Sequence, residues 1–432
     1  MKKLLLTAIF MSALSASLFA GGVDNKTNLN AGYERNPSRN TEHKRPEAVF
    51  YNIGGIGFME DGLYFEAGNQ FVIKNYANEL NNPMFSTLGI NNKYEDKKLV
   101  YLYPNAEVVY KKGNLALFFG FGVFGGGGNL EYKDGTAATA LAFAGQGIAA
   151  KNAGQNAKAS LLFNVARNHT LDVYSVQLGE IVGISGKILD NLSLAVAARF
   201  MHGTQTIDLA SSGLIAMGNG SDTVGYKADG YSVGAMFGVH YKPIEKLDVS
   251  AQYQSITRLN YEYHSFTGNQ AIIGQIITNK KDNFANDLPA VLNLGVGYQF
   301  LDPLYASMSF NYYFNHFAKI ESPMSGEAYD YGNSWEIALG ADYEISDSWL
   351  VSAGFSYGRN GTTKTDNNIF SPVLDSFVVG AGCEYKFAKM FTATASVMYC
   401  KYFGRDFSVG GYNVDLTKNV TMVALGITCK PF

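Results

Sequence analysis

From Leu63 to the C-terminus the chain repeats one pattern, an apolar residue followed by a small or polar one. Leu292, Leu294, Val296, Tyr298 and Phe300 interleave with Asn293, Gly295, Gly297 and Gln299. Ile337, Leu339, Ala341, Tyr343 and Ile345 stand against Ala338, Gly340, Asp342 and Glu344, and Phe377, Val379, Ala381, Cys383 and Tyr385 against Val378, Gly380, Gly382 and Glu384. The same holds for Val233, Ala235, Phe237, Val239 and Tyr241 against Gly234, Met236, Gly238 and His240. Successive side chains of a strand point to opposite faces, so each segment has one greasy face and one small or wettable face. A single such segment describes any half-buried strand. About fourteen in series, many with tyrosines near their ends, describe a barrel with a lipid-facing outside and aromatic girdles.

The segments begin near Leu63, Tyr101, Leu115, Leu171, Leu192, Tyr231, Leu247, Leu288, Leu304, Ser334, Trp349, Phe377, Phe391 and Asn419. The connections alternate in length. Short turns such as Lys112-Gly113-Asn114, Asp190-Asn191, Asp302-Pro303 and Ser346-Asp347-Ser348 are followed by long stretches, among them residues 133–170, 208–230 and 264–287. Long loops at one end and tight turns at the other characterise a bacterial outer-membrane barrel with both termini in the periplasm. The expected fold is therefore all-β: a 14-stranded antiparallel transmembrane β-barrel, residues 63–432. A secreted all-β adhesin is the rival architecture.

The N-terminus fits export. Lys2 and Lys3 precede an apolar run from Leu4 to Leu18 and the sequence Phe19-Ala20-Gly21-Gly22, read as a signal peptide of residues 1–20. That run is shorter than the ~20 apolar residues of a spanning helix. Charged residues make up 16% of the chain, low against roughly 25% in soluble domains. The net charge of −3 leaves no basic stripe for a nucleic acid. Cys383, Cys400 and Cys429 are few and odd in number, unlike a disulfide framework.

Three stretches break the alternation. Residues 21–62 are polar, Gly-rich and too long for a tail; they are either disordered or folded inside the lumen as a plug, and a barrel this wide leaves an open interior unless something blocks it. Residues Thr136 to Val165 are Ala-rich and expected to be helical, either gathering apolar molecules or packing on the rim. The third segment runs into Gly125, Gly126, Gly127 and Gly128. Glycine within a strand marks a bulge or bend and leaves the wall without side chains, so a lateral opening is expected there, with a tight external loop as the alternative.

These residues also resemble a family. The run Ala31-Gly32-Tyr33-Glu34-Arg35-Asn36-Pro37-Ser38-Arg39-Asn40, the run Glu47 to Phe58, and Glu60-Asp61-Gly62-Leu63 leading to Ala67-Gly68-Asn69-Gln70-Phe71 are similar to the N-terminal hatch of FadL/TodX-type outer-membrane transporters. So is Asp287-Leu288-Pro289-Ala290 leading to Leu294. The resemblance implies a hatch plugging a fourteen-stranded barrel, carriage of long-chain fatty acids or aromatic hydrocarbons, and lateral release at a kink in the third strand. Where the family's hatch reads Asn-Pro-Ala-Gly, this chain keeps Asn52 but has Ile53 and Gly54.

The expected function is diffusion of hydrophobic small molecules, chiefly long-chain fatty acids, across the outer membrane. Ligand would collect at the apolar loop residues Leu214, Ile215, Met217, Ile272, Ile273 and Ile276, with Lys319 or Arg199, both expected on strands, either meeting its carboxylate or standing as solvated or paired lumen charges. The hatch at Asn52, Ile53 and Gly54 would then move, and Gly125 to Gly128 would release the ligand sideways. No cofactor or metal is expected. The partners expected are the ligand, the surrounding outer-membrane lipid and the barrel-insertion machinery, with the protein acting as a monomer. A general porin is the alternative function. A barrel enzyme would need a Ser-His arrangement, but the six histidines are scattered without motif spacing.

Overall fold

The computed structural model describes residues 28–432 except 81–82, 280, 362–372, 405 and 410–411. The expected signal peptide lies outside them. Fourteen antiparallel strands form the barrel: β1 Gly62–Glu79, β2 Lys93–Asp96 with Pro104–Lys112, β3 Leu115–Tyr132, β4 Thr170–Leu189, β5 Leu192–Ala210, β6 Thr223–Ile244 and β7 Leu247–Gln254 with Asn260–Thr267. The rest are β8 Asn283–Ala285 with Val291–Leu301, β9 Leu304–Tyr313, β10 Gly332–Ser346, β11 Trp349–Gly361, β12 Ser376–Ala388, β13 Phe391–Tyr402 with Asp406–Val409, and β14 Tyr412–Cys429. β1 pairs with β14 from Phe65↔Cys429 to Glu79↔Asp415, closing the ring. Closure leaves no free first or last strand, the condition for crossing hydrocarbon with strands.

Each of the six turns at one end contains two residues: 113–114, 190–191, 245–246, 302–303, 347–348 and 389–390. Longer connections lie at the other end and carry short helices. These are α3 Pro83–Leu88, the hairpin of α4 Ala137–Asn152 and α5 Asn156–Arg167, α6 Ser212–Ala216 and α7 Gln270–Ile276. The Ala-rich stretch is thus helical, and it packs: Ala137 to Ala144 are all buried. Thr136 starts α4 through a capping box with Thr139.

The outward belt is the predicted one. Leu294, Val296, Ile337, Leu339, Val233, Phe237, Val379, Leu425 and Ile427 are all exposed. Two strands begin earlier than expected, β6 at Thr223 rather than Tyr231 and β14 at Tyr412 rather than Asn419. Their extra residues invert the pattern. Val224, Tyr226, Ala228, Val414 and Leu416 are buried on the inside, while Lys227, Asn413, Asp415 and Thr417 face outward. Strand ends that rise beyond the bilayer need no apolar exterior.

The hatch, residues 28–61, lies inside the barrel. It contains α1 Ala31–Arg35, α2 Ala48–Tyr51 and a 3-10 turn Gly55–Phe58. Asn30 caps α1 by accepting from the Tyr33 N–H. Every residue from Asn28 to His43 is buried. The apolar core joins the hatch to the loop-end half of the lumen, uniting Leu29, Phe50, Ile53 and Ile56 with Leu130, Leu171, Val173, Ile207, Tyr226, Leu416 and Met422.

Candidate functional site

The hatch is held to the wall by charge. Arg35 lies 2.8 Å from Glu384 on β12, 3.2 Å from Asp342 on β10 and 3.5 Å from Glu47. Arg39 reaches Asp342 at 3.0 Å and Glu42 at 3.1 Å, and Arg45 reaches Glu384 at 2.7 Å. Buried ions persist only when paired and hydrogen-bonded; here three arginines share four carboxylates. Burial pushes the Glu47 carboxyl up to about 7, against the pull of Arg39 and Arg35. For Glu42, burial also acts upward, but Arg45 and Arg39 hold it well below the usual carboxylate range. Sequence reading put Asp342 and Glu384 on the lumen face but gave them no role.

The turn at Asn52 docks on β6 and β7. The Asn52 side-chain amide donates to the Glu42 carbonyl at 3.0 Å and to His240 Nδ1 at 2.8 Å. His240 Nε2 lies 2.9 Å from Asp248. The Ile53 N–H donates to Gln252 Oε1 at 2.9 Å. A Cβ on Gly54 would stand 2.8 Å from the His240 nitrogen, so glycine lets the hatch backbone lie directly on the wall. The change from Ala to Gly at this position suits that contact.

Around the four glycines β3 keeps its ladder with β4 and loses its ladder with β2. Towards β4, β3 stays paired as far as Tyr132↔Leu171, with register shifts between Val123 and Gly125 and between Gly125 and Gly128. Gly126 adopts φ +85°, a conformation costly for other residues. Towards β2 the ladder ends at Ala106↔Phe121. Beyond it, residues 122–132 of β3 have no ladder partner on that side among the described residues. β2 itself detours there, exposing Tyr101 and Leu102. Side chains alone cross the gap: Lys98 pairs with Glu131 at 2.6 Å, the Tyr103 hydroxyl donates to the Gly126 carbonyl at 3.4 Å, and Lys74 donates to the Asn129 carbonyl.

The gap adjoins the hatch and a buried cation. Phe50 of α2 meets Phe124 edge-on at 5.8 Å, immediately before the glycines. Arg199 on β5 is buried. Its guanidinium donates to Thr257 Oγ1 at 2.7 Å and the Ser255 carbonyl at 3.3 Å, and lies 2.5 Å from Gln254 Oε1. No carboxylate pairs with it among the described residues, and its Nε has no hydrogen-bond partner.

The other predicted residues divide. Lys319 is not on a barrel strand. β9 ends at Tyr313, a 3-10 turn follows at Asn315–Phe317, and Lys319 sits beyond it, paired with Glu321 at 2.8 Å. Leu214 is buried in α6 while Ile215 beside it is exposed. Ile273 in α7 is buried, and Met217 and Ile272 pack against the same core. The two loops are joined directly, since the Asn269 N–H donates to Asn219 Oδ1 at 2.6 Å. Ile276 closes α7. The three cysteines are free thiols.

Comparison with known proteins agrees with this architecture. No curated protein matches the sequence. The chain is similar to the crystal structure of a Pseudomonas aeruginosa FadL homologue, with 17% identity and TM-score 0.70 over 96% of this chain and 100% of that one. It is similar to the P. putida toluene transporter TodX, with 13% identity and TM-score 0.64 over 90% and 96%. The Ralstonia pickettii toluene transporter TbuX gives 13% identity and TM-score 0.57 over 89% and 93%. At these identities the likeness is one of fold. Residues 164–428 match the family described as outer membrane protein transport protein (OMPP1/FadL/TodX). With more than half its length in that match and a hatch-filled fourteen-stranded barrel, the chain belongs to the FadL/TodX family of outer-membrane transport proteins for hydrophobic substrates.

Proposed function

We propose that the protein carries long-chain fatty acids across the outer membrane as a monomer, by diffusion down their gradient. The observation that carries this reading is Arg199, a buried cation without a carboxylate partner among the described residues, set beside Phe124 and the interrupted ladder between β2 and β3. Each buried CH₂ contributes about 0.8 kcal/mol, so an acyl tail favours that interior over water, and its carboxylate supplies the anion Arg199 lacks. Ligand gathers at the joined loops around Leu214, Ile215, Met217 and Ile272, Ile273, Ile276. It enters the lumen between them, and a shift of the hatch at Asn52, Ile53 and Gly54 frees the path past Phe124. Release is sideways through Gly125 to Gly128 into surrounding lipid.

A neutral aromatic hydrocarbon is the second reading. It is favoured by the buried stack of Tyr261 on Phe284, centroids 5.2 Å apart, with Tyr226 edge-on to Phe284. A general porin fits less well, because the hatch residues fill the lumen. Equilibrium binding of hexadecanoate and of toluene to the purified protein, with conductance in planar bilayers, tests the proposal. Saturable hexadecanoate binding by an electrically silent barrel supports it; ion conduction without binding refutes it.

A further inference from the structure

Below the hatch, at the short-turn end, the barrel encloses a cup of about 770 Å³. Such a volume suits a small molecule. Six cationic side chains line it: Lys44 and Arg45 from the hatch, Lys242 from β6, Lys386 and Lys389 around the β12–β13 turn, and Lys430 just after β14. Against them stand two lining carboxylates, Glu60 and Glu384, and the terminus at Phe432.

Three of the six cations are committed. Arg45 pairs with Glu384 at 2.7 Å, Lys430 with Glu60 at 2.6 Å and Lys242 with Asp248 at 3.4 Å. Lys44, Lys386 and Lys389 have no ion-pair partner among the described residues. Phe58, Met59, Met390 and Phe432 give the same cup an apolar surface. The Phe58 ring lies between Lys242 at 5.5 Å and Lys187 at 5.8 Å. A concave surface lined by one sign of charge concentrates the opposite ion, and the apolar wall beside it selects an ion with a tail.

We propose that this cup is a second binding site, open at the short-turn end of the barrel and apart from the lateral route, for a single-chain anionic amphiphile. Its carboxylate lies among Lys44, Lys386 and Lys389, and its tail lies on Phe58, Met390 and Phe432. The hatch separates the cup from the lumen site of Arg199, so the two fill independently. The proposal takes from the transport reading only the source of the ligand.

The test is stoichiometry by native mass spectrometry in detergent. Hexadecanoate, hexadecan-1-ol and dioleoylphosphatidylglycerol are offered in turn to the full-length protein and to its Lys44→Gln/Lys386→Gln/Lys389→Gln variant. These three lysines are exposed, so the barrel keeps its fold. The wild type should hold two hexadecanoates, and the variant one, with affinity at the second position falling at least about tenfold, as loss of charge-assisted contacts implies. The alcohol should never take the second position. A second hexadecanoate retained by the variant overturns the proposal, as does an alcohol that fills both positions. Phosphatidylglycerol occupying the lysine-dependent position in place of hexadecanoate also overturns it, making the cup a lipid-headgroup site. One hexadecanoate on the wild type and none on the variant would uphold the cup while removing the lumen site.

Discussion

The guanidinium carbon of Arg199 stands 5.9 Å from the ring centre of Phe124. Phe124 in turn touches Phe50 of the hatch and directly precedes Gly125. One aromatic side chain therefore connects the hatch, the buried cation and the start of the wall gap. A ligand that displaces Phe124 would disturb all three, which gives hatch movement and release a common physical origin.

Replacing Arg199 separates the two ligand classes. A hydrogen bond to a charged group contributes about 2 kcal/mol, so Arg199→Gln should weaken hexadecanoate binding roughly 30-fold and leave toluene binding unchanged. Equilibrium titration of both ligands checks this. An equal loss for both would mean that Arg199 shapes the lumen and does not read the carboxylate.

The hatch should loosen when its wall anchors are neutralised. Asp342→Asn removes the anion shared by Arg35 and Arg39, and Glu384→Gln the one shared by Arg35 and Arg45. Breaking a buried pair from one side costs about 3–5 kcal/mol. The double variant is expected to show channel openings in planar bilayers and faster proteolysis within residues 28–61, where the wild type is silent and protected. Unchanged conductance and protection would show that apolar packing alone retains the hatch.

Acid should loosen the external helical hairpin before the barrel. Burial lowers His169 from its ordinary 6.5 to about 4, and the neutral ring lies 2.6 Å from Thr139 Oγ1 and 2.9 Å from the Val165 carbonyl. Between these values the unfolded hairpin binds the proton and the folded one does not. Stability is therefore complete above about pH 6.5 and declines as the pH falls towards 4. Hydrogen exchange over residues 137–167 should quicken relative to barrel amides between pH 7.5 and 5, and His169→Gln should abolish the difference. Equal behaviour of variant and wild type would assign the change elsewhere.

Much of this architecture was legible in sequence because lipid imposes it. Outward grease at every second residue located the strands, and the two-residue turns located their ends. The rule failed where lipid no longer applies. At Thr223 to Gly230 and Tyr412 to Lys418 the apolar residues turn inward to line the lumen, so both strand starts were placed late. Lys319 was put on a strand because nothing in Phe314 to Ala318 announces the 3-10 turn that ends β9. Arg35 and Asp342 are separated by 307 residues, and their pairing depends on barrel closure, which no local pattern encodes. The glycines at 125–128 announced the irregular register of β3. That the β2 ladder stops at Phe121 has no local signal.

Under the proposed function, hydrophobic molecules leave between β2 and β3, where the Lys98–Glu131 ion pair spans the missing ladder. A variant with Cys383, Cys400 and Cys429 replaced by Ser, carrying Lys98→Cys and Glu131→Cys, can be bridged by a cleavable bifunctional thiol reagent. Uptake of labelled hexadecanoate by cells with this as their sole transporter of the class should cease on cross-linking and return on reduction. Uptake that continues at the same rate through the bridged barrel would contradict lateral release.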